Sequence, residues 1–127
     1  MTIDIGQSER TTQNRVVALF CKKLGYRYLG NLQGLANKNI READLLAWLA
    51  KRGVSDALAQ SAVKSLQDLN YLGGGRRLYD ANGDIYQLLR YGAKVKTGAG
   101  EHRQTVLLVD WENPQNNDFA LAEEVSI

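Results

Sequence analysis

The chain has 127 residues, 44% of them hydrophobic and 24% charged, which suits one soluble globular domain. A single cysteine, Cys21, and a single histidine, His102, exclude structural zinc, a disulfide framework and a Cys/His nucleophile pair. No apolar run reaches the ~18 residues of a membrane span, and the first residues carry no export signal, so a cytoplasmic protein is expected.

The net charge of +2 hides an asymmetry. Residues 1–103 hold all 16 basic groups and 9 acidic ones, whereas the last 24 residues hold five acidic groups and no basic one. Such a split fits an anionic partner for the basic part. It equally fits a solvated surface with an acidic end, because the basic residues are dispersed.

Along the chain, Ser8 is placed to cap a helix over about 8–24, with Val16, Val17, Phe20, Cys21 and Leu24 forming its apolar stripe and Gly25 ending it. Residues 26–29 read as a short strand. A second helix is expected over 40–52, with Asn39 and Glu42 in a capping-box-like arrangement. Ser55 caps a third, 55–69, and the short connection makes 40–69 an antiparallel helical hairpin. Gly73–Gly75 break the chain before a fourth helix over 78–91.

The period then changes to that of strands at about 93–96, 104–111 and 118–126. The turn around Pro114, the only proline, suggests antiparallel pairing of the last two. The expected class is α+β, with helices packed on a small antiparallel sheet.

Chemistry-bearing motifs are few. Gly73–Gly75 lacks the continuation of a phosphate-binding loop, and Gly98–Gly100 does not lead from a strand into a helix. His102 falls in a polar loop. Asp110 and Glu112 would share one face of a strand. No Lys follows either at the spacing a two-carboxylate Mg²⁺ nuclease site uses, so they read as acids on an exposed strand end. Tyr26, Tyr28, Tyr79, Tyr86 and Tyr91 interleave with Arg27, Arg76, Arg77 and Arg90. That pattern fits either stacking on single-stranded nucleic acid, RNA included, or half-buried packing tyrosines.

Three segments carry a more specific signal. They are Thr12–Phe20 with Leu24–Gly30, Leu78–Asn82 through Ile85–Gly92, and Thr105–Pro114 with Asn117–Val125. In order and spacing they resemble the N-terminal region of the R (restriction, or motor) subunit of type I restriction–modification enzymes. The resemblance spans about residues 8–127 and implies the N-terminal part of a restriction-endonuclease-like domain. Residues 1–127 would then be a single, incomplete domain, with the hairpin 40–69 as an insertion.

The resemblance also implies an ATP-driven translocase that cuts double-stranded DNA using Mg²⁺ and works with methylation and specificity subunits, away from membranes. The family's metal-binding Asp and its Glu-x-Lys pair follow the strand that resembles Phe119–Val125, and the sequence contains neither motif there. No catalytic residue carries over, and the chain alone is expected to be inactive. Glu9, near the start of the first helix, is the one candidate for an accessory carboxylate, with Gln13 standing where some members have an acid. Contacts to DNA phosphates are expected from Arg76, Arg77, Arg90, Lys94, Lys96 and Arg103. The alternative is a stand-alone, non-catalytic DNA-binding or protein-interaction module.

Overall fold

The computed structural model describes residues 5–126 and, in the first helix, side chains from residue 9 onward. The chain is α+β and divides into two compact units. Over the described residues, one is formed by 5–39 with 118–126, the other by 40–117.

The first unit holds α1 (Ile5–Ala18), a wider helical turn over Leu19–Lys23, β1 (Arg27–Asn31) and β4 (Ala120–Glu123). In that wider turn the Leu24 N–H donates to the carbonyl of Leu19, five residues back, at 3.2 Å. Gly25, at φ +73°, then lets the Tyr26 N–H reach back to the Phe20 carbonyl at 2.9 Å and end the helix. The helix expected over 8–24 thus exists but closes on a different hydrogen-bond pattern. Tyr26 packs edge-on against Phe20, with centroids 4.9 Å apart, and stacks on Phe119 at 5.2 Å.

β1 and β4 pair in parallel, Arg27 against Ala120 and Asn31 against Glu123, with a register shift between Tyr28 and Gly30. The expected antiparallel pairing of 118–126 with 104–111 does not occur. Its cause is local: the side chain of Asn117 captures both backbone groups of Asp110, accepting from its N–H at 2.8 Å and donating to its carbonyl at 3.0 Å. Those groups are thereby removed from any ladder. The backbone of 119–123 is left to bond β1, with Arg27 N–H on Phe119 O and Leu32 N–H on Glu123 O.

The second unit begins with α2 (Glu42–Lys51) and α3 (Asp56–Leu69), the expected hairpin. Gln67, in the last turn of α3, donates to the carboxylate of Glu42, in the first turn of α2, so the helices run antiparallel. Arg41, and not Asn39, stands at the α2 N-cap, and Glu42 turns toward Gln67 instead of closing a capping box. Ser55 does cap α3, accepting from Leu58 N–H at 3.4 Å.

α4 (Leu78–Tyr91) leads through Gly92 into an antiparallel pair, β2 (Ala93–Val95) and β3 (Gln104–Val106). The strand expected over 104–111 ends at Val106, and the chain bends at 108–109 before the buried Asp110. Leu49 is fully buried at 0% exposure and packs in one core with Trp48, Val63, Leu66, Leu88 and Val106. Ala59 and Ala62 on α3 and Ala93 on β2 are also buried in it, and residues this small let backbones approach closely. Gly92, at φ +92°, is a required glycine: a Cβ there would fall 2.8 Å from Thr105 Cγ2 and 3.0 Å from the Val106 carbonyl oxygen.

Candidate functional site

Two groups of side chains stand out, one in each unit. In the first unit, Glu123 at the end of β4 gathers donors from α1 and β1. Its Oε1 accepts from Arg10 Nη1 at 3.2 Å and from Gln13 Nε2 at 2.8 Å, and its Oε2 accepts from the Tyr28 hydroxyl. The carboxylate is 9% exposed, and these bonds, the tyrosine's foremost and Gln13's next, hold it below the usual carboxylate range against the opposing effect of burial. The same bond, together with burial and the charge of Glu123, pushes the Tyr28 hydroxyl above its ordinary value. Glu124 follows at φ +55°, a left-handed conformation uncommon for a residue with a side chain, and its Oε1 lies 3.4 Å from Gln13 Nε2.

Glu9 is exposed on α1, one helical turn before Gln13 and therefore on the same helix face. Sequence reasoning singled out Glu9 and noted Gln13, and it read Tyr28 as a stacking or packing tyrosine and Glu123 as an acid with no lysine at nuclease spacing, but it did not bring these two together. Nothing local links them, because β1 and β4 lie far apart in the chain.

In the second unit, Asp110 is 6% exposed, so it is not the exposed strand-end acid that its sequence context suggests. Oδ1 accepts from the Asn113 N–H at 2.9 Å, and Oδ2 accepts from Asn116 Nδ2 at 3.1 Å and from Arg52 Nη2 at 2.8 Å. The Asn113 and Asn116 bonds, with help from Arg52, hold its carboxyl below the usual range. Asn116 also accepts, through its carbonyl, from the Trp48 indole N–H at 2.9 Å, and Arg52 lies over the Trp48 ring. Glu112, two residues on, is exposed.

The six basic residues expected at a nucleic-acid surface divide into three sets. Arg76 and Arg77 have carboxylate partners within their own unit. Arg76 donates to the Leu69 carbonyl at 3.1 Å and pairs with Asp84 at 2.8 Å. Arg77 gives its backbone N–H to Asp80, and its guanidinium lies 3.5 Å from the same carboxylate.

Lys94, Lys96 and Arg103 are exposed and have no carboxylate partner among the described residues. Lys94 lies opposite Thr105 on the solvent face of the β2–β3 ribbon, between the inward-facing Ala93 and Val95. Lys96 and Arg103 each lie one residue beyond the paired strands, where the ribbon runs into its connecting loop. Arg90 is oriented by rings instead of carboxylates, 5.6 Å from the centroid of Tyr91 and 5.4 Å from that of Trp111.

Among the described residues, no group of three or more His, Cys, Asp or Glu side chains is arranged to hold a metal ion. The two carboxylates of lowered pKa, Asp110 and Glu123, are each saturated by a guanidinium and neutral donors, so neither fits Mg²⁺. Nor does the glycine turn at 73–75 open a helix N-terminus onto a nucleotide, because Arg76 and Arg77 intervene before α4. No helix of the described residues is long and apolar enough to cross a membrane.

Neither the search of curated proteins nor that of solved structures gives a match. The family described as type I restriction enzyme R protein N terminus matches residues 6–127, which covers the elements described above except the first residue of α1. The chain belongs to the type I restriction enzyme R protein N-terminal family.

Proposed function

We propose that this chain serves the restriction of unmodified foreign DNA as the N-terminal region of an R subunit, in the cytoplasm and together with methylation and specificity subunits. The observation that carries this reading is the family match over residues 6–127. In the complete subunit, cleavage and translocation would draw on Mg²⁺ and ATP. No described residues are arranged to hold a metal ion, and the role we assign to the chain itself is to hold DNA and to support the nuclease fold. Glu9, on the same helix face as Gln13, is the accessory carboxylate of that scheme.

Within this role, Lys94, Lys96 and Arg103 on the β2–β3 ribbon take phosphates of double-stranded DNA. One lysine on the solvent face of a two-stranded ribbon and two exposed cations at its loop end, none with a carboxylate partner among the described residues, suit a backbone contact that positions DNA without reading its sequence. Fluorescence anisotropy with two duplexes of unrelated sequence tests this. Affinities should match for the two, and with three or four phosphate contacts should fall by roughly 50- to 150-fold between about 50 and 200 mM salt. The combined change Lys94→Gln with Lys96→Gln should weaken both duplexes alike and reduce the salt slope by about 2. Sequence-dependent losses would contradict the proposal, and Mg²⁺-dependent cleavage of plasmid DNA by the chain alone would contradict its non-catalytic role.

A further inference from the structure

The second unit presents a group of rings that its core does not use. Trp111 is 50% exposed, yet its indole N–H donates to the Leu89 carbonyl at 2.9 Å, which fixes the ring against the last turn of α4. Tyr91, at the end of that helix, is 60% exposed. The Arg90 guanidinium reaches both rings, at 5.4 and 5.6 Å, and no carboxylate among the described residues neutralises it. A cation held by ring faces is oriented while keeping its charge. Lys94 follows four residues after Arg90, so the backbone keeps their Cα atoms within about 14 Å.

Pinned rings, an oriented guanidinium and unpaired lysines close by are the components that hold unpaired bases: ring and guanidinium planes stack, and ammonium groups take the phosphates. A duplex keeps its bases stacked inside and would engage only the cations here. A protein partner would have to bring several carboxylates to match Arg90, Lys94 and Lys96.

We infer that Trp111, Arg90 and Tyr91 form a stacking platform for one or two unpaired bases of single-stranded DNA, with Lys94 and Lys96 on the adjoining phosphates. This rests on the DNA-binding role proposed above and narrows it to a strand whose bases are free.

Binding of a fluorescein-labelled oligothymidine of about 15 nucleotides to the full chain is compared with binding of a blunt duplex of the same length, at about 50 mM salt. Trp111→Ala should weaken oligothymidine binding by roughly 5- to 150-fold and leave duplex binding within about twofold. Tyr91→Ala, at an exposed position, should show the same selective loss, while Tyr91→Phe retains affinity. Circular dichroism confirms that each variant is folded.

An equal loss on both ligands, or no loss on oligothymidine, overturns the inference. Duplex binding without oligothymidine binding overturns it and leaves the proposed function standing. Binding of neither overturns both. Loss of co-elution with the methylation and specificity subunits in Trp111→Ala, with oligothymidine affinity unchanged, assigns the patch to a protein partner and also overturns it.

Discussion

Arg52 Nη2 lies 2.8 Å from Asp110 Oδ2, so the residue that follows α2 is tied to the turn that closes the second unit. Around this contact Asn113, Asn116 and Asn117 fix the backbone of 110–117, and the Trp48 indole anchors it through Asn116. The contact has a pH signature. A carboxyl held below its ordinary value contributes stability above the unfolded value of about 4, and that contribution is lost as pH falls through the lowered native value. Asp110→Asn should therefore unfold at lower temperature than the parent at pH 7, with the gap closing progressively below about pH 4. Thermal unfolding followed by circular dichroism across that range measures it.

Tyr28 and Glu123 make the opposite case at alkaline pH. A phenol raised above its ordinary value favours the protonated native form, so its stabilisation is present up to about pH 10 and lost as pH rises through the raised value. The difference in ultraviolet phenolate titration between the parent and Tyr28→Phe isolates this one tyrosine. Its midpoint should lie above about 10 and return toward 10 in a Glu123→Gln background.

Leu49→Ala removes the only large side chain that is fully buried among the described residues. It should cost about 2–5 kcal/mol in urea unfolding, because the helices and strands around it cannot all close on the void. Unchanged stability would mean that the core of the second unit is not centred where α2 meets α3.

Gly92→Ala places a methyl group against Thr105 and the Val106 carbonyl at a φ of +92°, with an expected cost of about 1–3 kcal/mol. The same strain displaces β2, which carries Lys94, so duplex affinity should fall together with stability. The stability loss is read from the urea midpoint and the affinity loss from anisotropy.

Arg76→Ala separates a structural arginine from a nucleic-acid one. Its guanidinium is already spent on the Leu69 carbonyl and Asp84. The variant should therefore lose about 2–8 °C of melting temperature while keeping its DNA affinity, in contrast to Lys94→Gln.

Helices α2, α3 and α4 were legible to within two residues at each end, because an apolar stripe of helical period is a local signal. The caps were less so: Ser55 acts where expected, whereas Arg41 displaces Asn39 once Glu42 finds Gln67 across the hairpin. Pairing of β1 with β4 left no trace in either segment, since parallel partners need no adjoining turn. The candidate sites follow the same logic. Basic residues could be named from the sequence, but only tertiary contacts reveal that Arg76 and Arg77 are occupied and that Lys94 and Lys96 are free of carboxylates. Trp111 read as the end of a strand. Its bond to Leu89 makes it part of the α4 terminus instead.

The parallel pairing of β1 with β4 also bears on the order of events during folding. Asn31 and Ala120 are separated by about 90 residues of sequence, and the whole second unit lies between them. If that stretch were unfolded, joining the strands would require closing a loop of that length, and its entropic cost grows with the logarithm of chain length. Once the second unit has condensed on its own helical contacts, its ends are held at a fixed separation and the remaining loop shrinks to two short connectors. A folded second unit would therefore lower the entropic cost of pairing β1 with β4.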